Sequence, residues 1–206
     1  MIDLLYADDV MVVVSKPDNL LSVPGIGEAK RDCLVTRLQL EFPTIRIVHR
    51  LDYATSGLLV LALNAGSHRA LSIQFQERVP KKRYQALVTG NLAETQGKID
   101  LPLSPDWENR PLSKVDLENG KPSLTHWQCI ERQSEHSRVL LYPHTGRSHQ
   151  LRVHLLAIGH PILGDVFYTD EAEHQQHPRM MLHADQLELR HPLSGEWMVF
   201  ESPCPF

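Results

Sequence analysis

The chain has 206 residues, with 21 Lys and Arg against 25 Asp and Glu, for a formal charge of −4. That length can bury a sizeable core, and 42% hydrophobic with 22% charged residues excludes disordered, collagen-like and disulfide-scaffold chains. As a total, the slight acidity argues against a nucleic-acid partner, whose phosphates favour a basic protein.

The elements follow from patterning in chain order. Val10–Val14 is a short apolar run stopped by Lys16-Pro17 and predicts a buried strand. Asp32 to Glu41 predicts a helix, with Leu34 and Leu38 at helical spacing and Pro43 just beyond. Gly57–Leu63 is apolar on both faces and predicts a core strand. Ser67 is placed to cap a helix running to Gln76. Arg83–Val88 alternates and ends at Gly90, predicting a half-buried strand. Further strands are expected at Lys98–Leu101, Thr125–Ile130, Arg138–Tyr142, Met180–Leu189 and Trp197–Glu201. One late helix is expected, capped by Ser148 and ended by Gly159. Consecutive strands with few helices between them predict an α+β fold with a mixed, mostly antiparallel sheet flanked by helices and loops. No linker or repeat interrupts the chain, so one domain over residues 1–206 is expected.

Cys33, Cys129 and Cys204 are far apart and form no CxxC, which predicts reduced thiols. The N-terminal MIDLLYADDV lacks the basic start of a signal peptide. Apolar runs such as Leu58–Ala62 fall far short of the ~20 residues of a membrane span. A soluble, cytoplasmic protein is expected.

Charge is uneven along the chain. Arg78 to Gly90 holds Arg78, Lys81, Lys82 and Arg83 and no acid, and His144 to His160 holds Arg147, Arg152 and several histidines, again with no acid. Asp165 to Glu173, in contrast, concentrates carboxylates. Local potential acts within a Debye length of ~8 Å, so an acidic chain can still present a basic face.

The most informative segment is His49-Arg50-Leu51-Asp52, followed by Thr55-Ser56-Gly57 and the apolar run. Asp52 is thereby placed in a loop braced by a core strand, beside a fixed positive charge. An ionised Asp there can act as nucleophile, general base or metal ligand; an Asp at a turn can equally do no more than accept backbone N–H bonds. In Gly146–His154, a helix N-terminus beside Arg147 suits an anion, and His149 and Arg152, three apart, share a face. The 12 histidines invite a metal, but no HExxH occurs and His149 and His154 are splayed by their spacing. No metal site is expected, and no GxSxG elbow supports a serine nucleophile.

His49–Asp52 with Thr55–Gly57 resembles the catalytic motif of the RluA-family pseudouridine synthases. Lys81–Gly90, Gly146–His154, Gly159–Asp165 and Leu182-His183-Ala184 agree with that family in order and spacing. Asp106–Pro111, Lys114-Val115 and Gly120–Pro122 are similar to members that modify both 23S rRNA and tRNA. Ser148 departs from the usual Thr while keeping the hydroxyl. The chain has no room for the N-terminal S4 RNA-binding domain of many relatives, so RNA selection by the catalytic domain alone is implied. The resemblance implies isomerisation of uridine to pseudouridine without cofactor or metal, on a 23S rRNA hairpin loop and a tRNA anticodon stem-loop. A monomer without an obligate protein partner is expected. It assigns Asp52 as nucleophile, Tyr84 to stack on the uracil, and Arg152 to pair with Asp52. The uridine must be flipped out of its stack, so Arg50 is the candidate to fill the vacated space. His49, Lys81, Lys82, Arg83, Arg110, Arg147 and His149 are further candidate RNA contacts.

Overall fold

The computed structural model describes residues 2–206. The chain forms two compact units, residues 1–82 with 184–205, and residues 83–183 with 206.

The first unit holds β1 (Asp3–Ala7), β2 (Met11–Lys16), α1 (Leu34–Leu38), β3 (Arg46–Ile47), β4 (Ser56–Ala62) and α2 (Ala65–Gln76). Every residue of β4 is buried, as the unbroken apolar run predicts. β4 pairs antiparallel with β2 from Met11↔Ala62 to Lys16↔Gly57 and with β3 at Arg46↔Ala62 and Ile47↔Leu61. Met11, Val13, Leu58, Val60 and Ala62 pack with Leu71 of α2 and with Leu187 and Leu189. The last two lie on β11 (Leu182–Arg190), whose antiparallel partner is β12 (Trp197–Glu201).

In the second unit, β5 (Lys81–Thr89) begins just before the division, and β6 (Gln96–Asp100), β9 (Leu124–Arg132) and β10 (His136–Pro143) follow in the order β5-β10-β9-β6. A separate ribbon pairs β7 (Leu103–Pro105) with β8 (Ser113–Val115). The helices are α3 (Gln150–Ala157) and α4 (Glu171–His174). The fold is α+β, with few helices and a mostly antiparallel sheet.

Three local expectations are corrected. The first helix is only Leu34–Leu38: the sulfur of Cys33 caps it by accepting the Thr36 N–H at 3.4 Å, while Asp32 lies outside and grips Arg37. α2 is capped by Asn64, and Ser67 is the reciprocal partner three residues on, completing a capping box. α3 starts at Gln150 and its cap position is His149, not Ser148; His149 has φ 55° and makes no side-chain capping bond. The short elements β1, β7, β8 and α4 were not expected from patterning. No helix among the described residues is long and apolar enough to cross a membrane.

Candidate active site

Asp52 lies in the loop between β3 and β4, and the peptides on both sides of it are pinned. The Ser22 hydroxyl donates to the Leu51 carbonyl at 2.8 Å and accepts the Leu51 N–H at 3.1 Å. On the other side, the Tyr53 carbonyl accepts the Leu20 N–H and the ammonium of fully buried Lys16, which also reaches the carbonyls of Pro17 and Leu20. The Asp52 carbonyl closes a turn by accepting the Thr55 N–H. Gly57 then enters β4 at φ 109°, passing so close to the Ala184 backbone that no Cβ fits. Half-buried Asp52 is therefore presented from a loop whose backbone is fixed, while Arg50 is exposed beside it.

His49 belongs to the same loop. Its Nε2 accepts the Val60 N–H at 3.1 Å, and its ring stacks on Phe75 at 4.3 Å. Burial, reinforced by the nearby Lys82 charge, pushes its pKa down to about 3. A neutral ring adds no positive charge toward a phosphate. Lys82 is itself pushed downward by burial and by Arg78. Lys81 bonds Glu188 at 2.9 Å and lies 5.3 Å from the Trp197 ring. Successive strand residues point to opposite faces, so Lys81, Lys82 and Arg83, consecutive on β5, cannot all grip one stretch of backbone.

In the second unit, Tyr84 sits on β5 opposite Leu141 of β10. Arg152 is buried in α3, only 3% exposed, and donates from Nε and Nη2 to the two oxygens of Asp165 at 2.7 and 2.6 Å. Asp165 is 0% exposed and also accepts the Phe167 N–H. The guanidinium lies 5.1 and 5.0 Å from the Phe167 and Tyr168 rings. His149 bonds the Tyr168 hydroxyl through Nδ1 at 2.8 Å, and that hydroxyl meets the N–H and carbonyl of Ser113 on β8.

Two readings of this region change. The first six residues of α3 are buried, so the helix face that carries Arg152 is turned into the protein and is not a solvent-facing one. Asp165 does not belong with a solvated acidic loop: it is the buried counter-charge of Arg152. Sequence reasoning missed that role, although the residue closes the Gly159–Asp165 motif. The turn before α3 is filled from within the chain, with Gln150 Oε1 accepting from the Thr145 hydroxyl and the Arg147 N–H. Arg147 also reaches the Pro122 carbonyl at 3.5 Å. Arg110 stacks 3.8 Å from the ring of Trp107, which is 67% exposed. An open cavity of about 460 Å³ lies along the β7–β8 ribbon, bordered by Trp107, Lys114, Asp116 and Lys121. Among the described residues no group of three or more His, Cys, Asp or Glu is placed to hold a metal.

A family model for RNA pseudouridylate synthases matches residues 10–157. The dual-specificity RNA pseudouridine synthase RluA of Escherichia coli (strain K12) is 50% identical over 204 residues, covering 98% of this chain and 93% of that one. The protein of the same name from Pasteurella multocida is 48% identical over 206 residues, covering 100% and 94%. Among solved structures, human RNA Pseudouridylate Synthase Domain Containing 1 superposes with a TM-score of 0.85 at 34% identity, covering 100% of this chain and 84% of that one. The matched span contains the pinned Asp52 loop, Tyr84 and Arg152. The chain belongs to the RNA pseudouridylate synthase family and is a pseudouridine synthase, an isomerase of uridine in RNA.

Proposed function

We propose that this enzyme modifies two RNAs, a 23S rRNA hairpin loop and a tRNA anticodon stem-loop, and that Asp52, Tyr84 and Arg152 carry the reaction. Support for the dual substrate comes from relatives about half identical that bear the name dual-specificity synthase. Support for Asp52 comes from one observation above all: its two flanking peptides are tied down by Ser22 on one side and by Lys16 and Leu20 on the other. A carboxylate held this way approaches a bound ribose without first ordering its own loop, and preorganisation of that kind lowers the barrier.

The reaction balances without an added reagent. The bond from ribose C1′ to uracil N1 breaks, the base turns, and C1′ bonds to C5. The proton lost from C5 is matched by one gained at N1. Asp52 promotes the first cleavage, Tyr84 stacks on the freed uracil, and Arg152 favours the ionised carboxylate. Flipping the uridine costs a few kcal/mol of unstacking, least in a hairpin loop, and Arg50 is the side chain that occupies the gap. Arg83, Arg110 and Arg147 are phosphate contacts in this reading, joined by Lys81 or Lys82. His149 braces Tyr168.

The test is pseudouridine formation in a 23S rRNA hairpin and in a tRNA anticodon stem-loop, with purified wild type and Asp52→Ala. Wild type modifies both and the variant neither. A variant retaining one-tenth of wild-type turnover removes Asp52 from the nucleophile role. A wild type active on one RNA alone removes the dual substrate.

A further inference from the structure

We propose that His49 is a positioning residue, whose imidazole fastens the start of the nucleophile loop to the core strand β4. The inference rests on Asp52 being the nucleophile, as proposed above.

The ladder between β3 and β4 contains only Arg46↔Ala62 and Ile47↔Leu61. Beyond Ile47 the chain leaves the sheet to form the Asp52 loop, and the N–H of Val60, the next residue along β4, gets no backbone acceptor from β3. Nε2 of His49 supplies one at 3.1 Å. Val60 is fully buried, so an unmet N–H there would carry a desolvation cost. Phe75 of α2 fixes the ring by stacking at 4.3 Å with an interplanar angle of 18°. A second histidine holds the same departure point: Nε2 of His68, also on α2, bonds the Ile47 carbonyl at 3.0 Å. The chain thus leaves the sheet at Ile47 through two imidazole contacts and reaches Asp52 three residues after His49.

The role demands an acceptor at Nε2, and a residue that lies neutral against Phe75 provides it. It requires no proton transfer to substrate and no charge toward RNA. That separates it from the two other uses of a histidine beside a nucleophile, as general base and as phosphate contact.

His49→Phe and His49→Gln distinguish these uses. Phe keeps the stack and lacks the acceptor; Gln offers an acceptor oxygen and cannot act as a base. For folded His49→Phe, kcat is expected to fall about 10- to 100-fold, the scale of a misplaced catalytic group, with KM within about twofold of wild type. His49→Gln is expected to recover most of that loss. Amide exchange at Val60, read by NMR without substrate, is expected to speed up at least about tenfold in His49→Phe and to remain slow in His49→Gln. Wild-type kcat in folded His49→Phe overturns the proposal. So does a raised KM at unchanged kcat, or a His49→Gln variant as slow as His49→Phe. Failure of the nucleophile assignment is separable: it shows as turnover by Asp52→Ala while Val60 exchange still follows the acceptor.

Discussion

Arg152 and Asp165 permit a quantitative test, because removing Asp165 takes two short hydrogen bonds away from a buried guanidinium. The guanidinium is 3% exposed and its carboxylate partner 0% exposed, joined by two bonds at 2.7 and 2.6 Å. Asp165→Ala takes away both bonds, unsatisfies the Phe167 N–H and opens a small cavity beside the aromatic pair. Breaking a buried pair from one side costs about 3–5 kcal/mol. Against a typical unfolding free energy of about 5–15 kcal/mol, that is a large fraction. At roughly 2–4 °C per kcal/mol for this chain length, Tm falls by roughly 6–20 °C. The assay is urea unfolding and thermal melting of wild type, Asp165→Ala, and the double variant Arg152→Met with Asp165→Leu. Replacing a whole buried pair by apolar groups of similar size is often neutral or stabilising, so the double variant regains stability, and under the role proposed for Arg152 it loses turnover. An Asp165→Ala protein within 1 kcal/mol of wild type refutes the argument, since Arg152 would then not depend on this partner.

The sequence made the strands legible wherever burial was one- or two-sided and continuous. β4 and β12 lie where Gly57–Leu63 and Trp197–Glu201 placed them to within one residue, because their periodicity reflects packing that no local alternative can satisfy. Helix starts were legible less well. Ser67 and Ser148 are good capping residues, but Asn64 takes the cap of α2 and His149 the first position before α3; several residues in each segment could cap, and tertiary packing chose among them. Asp52, Tyr84 and Arg152 are singled out by motif, whereas the buried place of Asp165 was hidden by its neighbours. Near Asp170, Glu171 and Glu173 it read as one more surface acid, and nothing local announced that it would be taken wholly out of water. The histidines were misleading for a similar reason. Their number suggested metal or charge, yet several serve as hydrogen-bonded connectors: His154 joins Thr125 and Leu101, His160 joins Thr89, and His191 joins Asp8 to Ser194. An imidazole carries two ring nitrogens that can bond different partners at once, which suits places where a strand ends and a backbone group is left over.

Two further predictions follow from the loop and its neutral histidine. Gly57→Ala would drive a Cβ against the Ala184 carbonyl oxygen and to 2.6 Å from its nitrogen, at φ 109°; a stability loss above about 3 kcal/mol is expected by thermal melting, and a loss under 1 kcal/mol would show that the strands part easily. Mild acid should destabilise the protein through His49. Its folded pKa of about 3 lies below the free value of 6.5, so the unfolded chain binds the extra proton between these limits. Stability is then complete above pH 6.5 and declines as pH falls toward 3. At pH 5 the loss from this residue is about 2 kcal/mol, taking 1.36 kcal/mol per pH unit. Asp8, whose burial is outweighed by bonds from Met11, Val10, His191 and Tyr6 and whose pKa is about 2, contributes stability that disappears only at lower pH, below its free value of 3.8. The decline between pH 6.5 and 4.5 therefore reports mainly on histidine. Urea unfolding across that range should give a shallower slope for His49→Gln than for wild type, because Gln has no proton to take up. Equal slopes would mean that the His49 ring is hydrated enough to titrate in place, and the neutral-acceptor role would lose its physical basis.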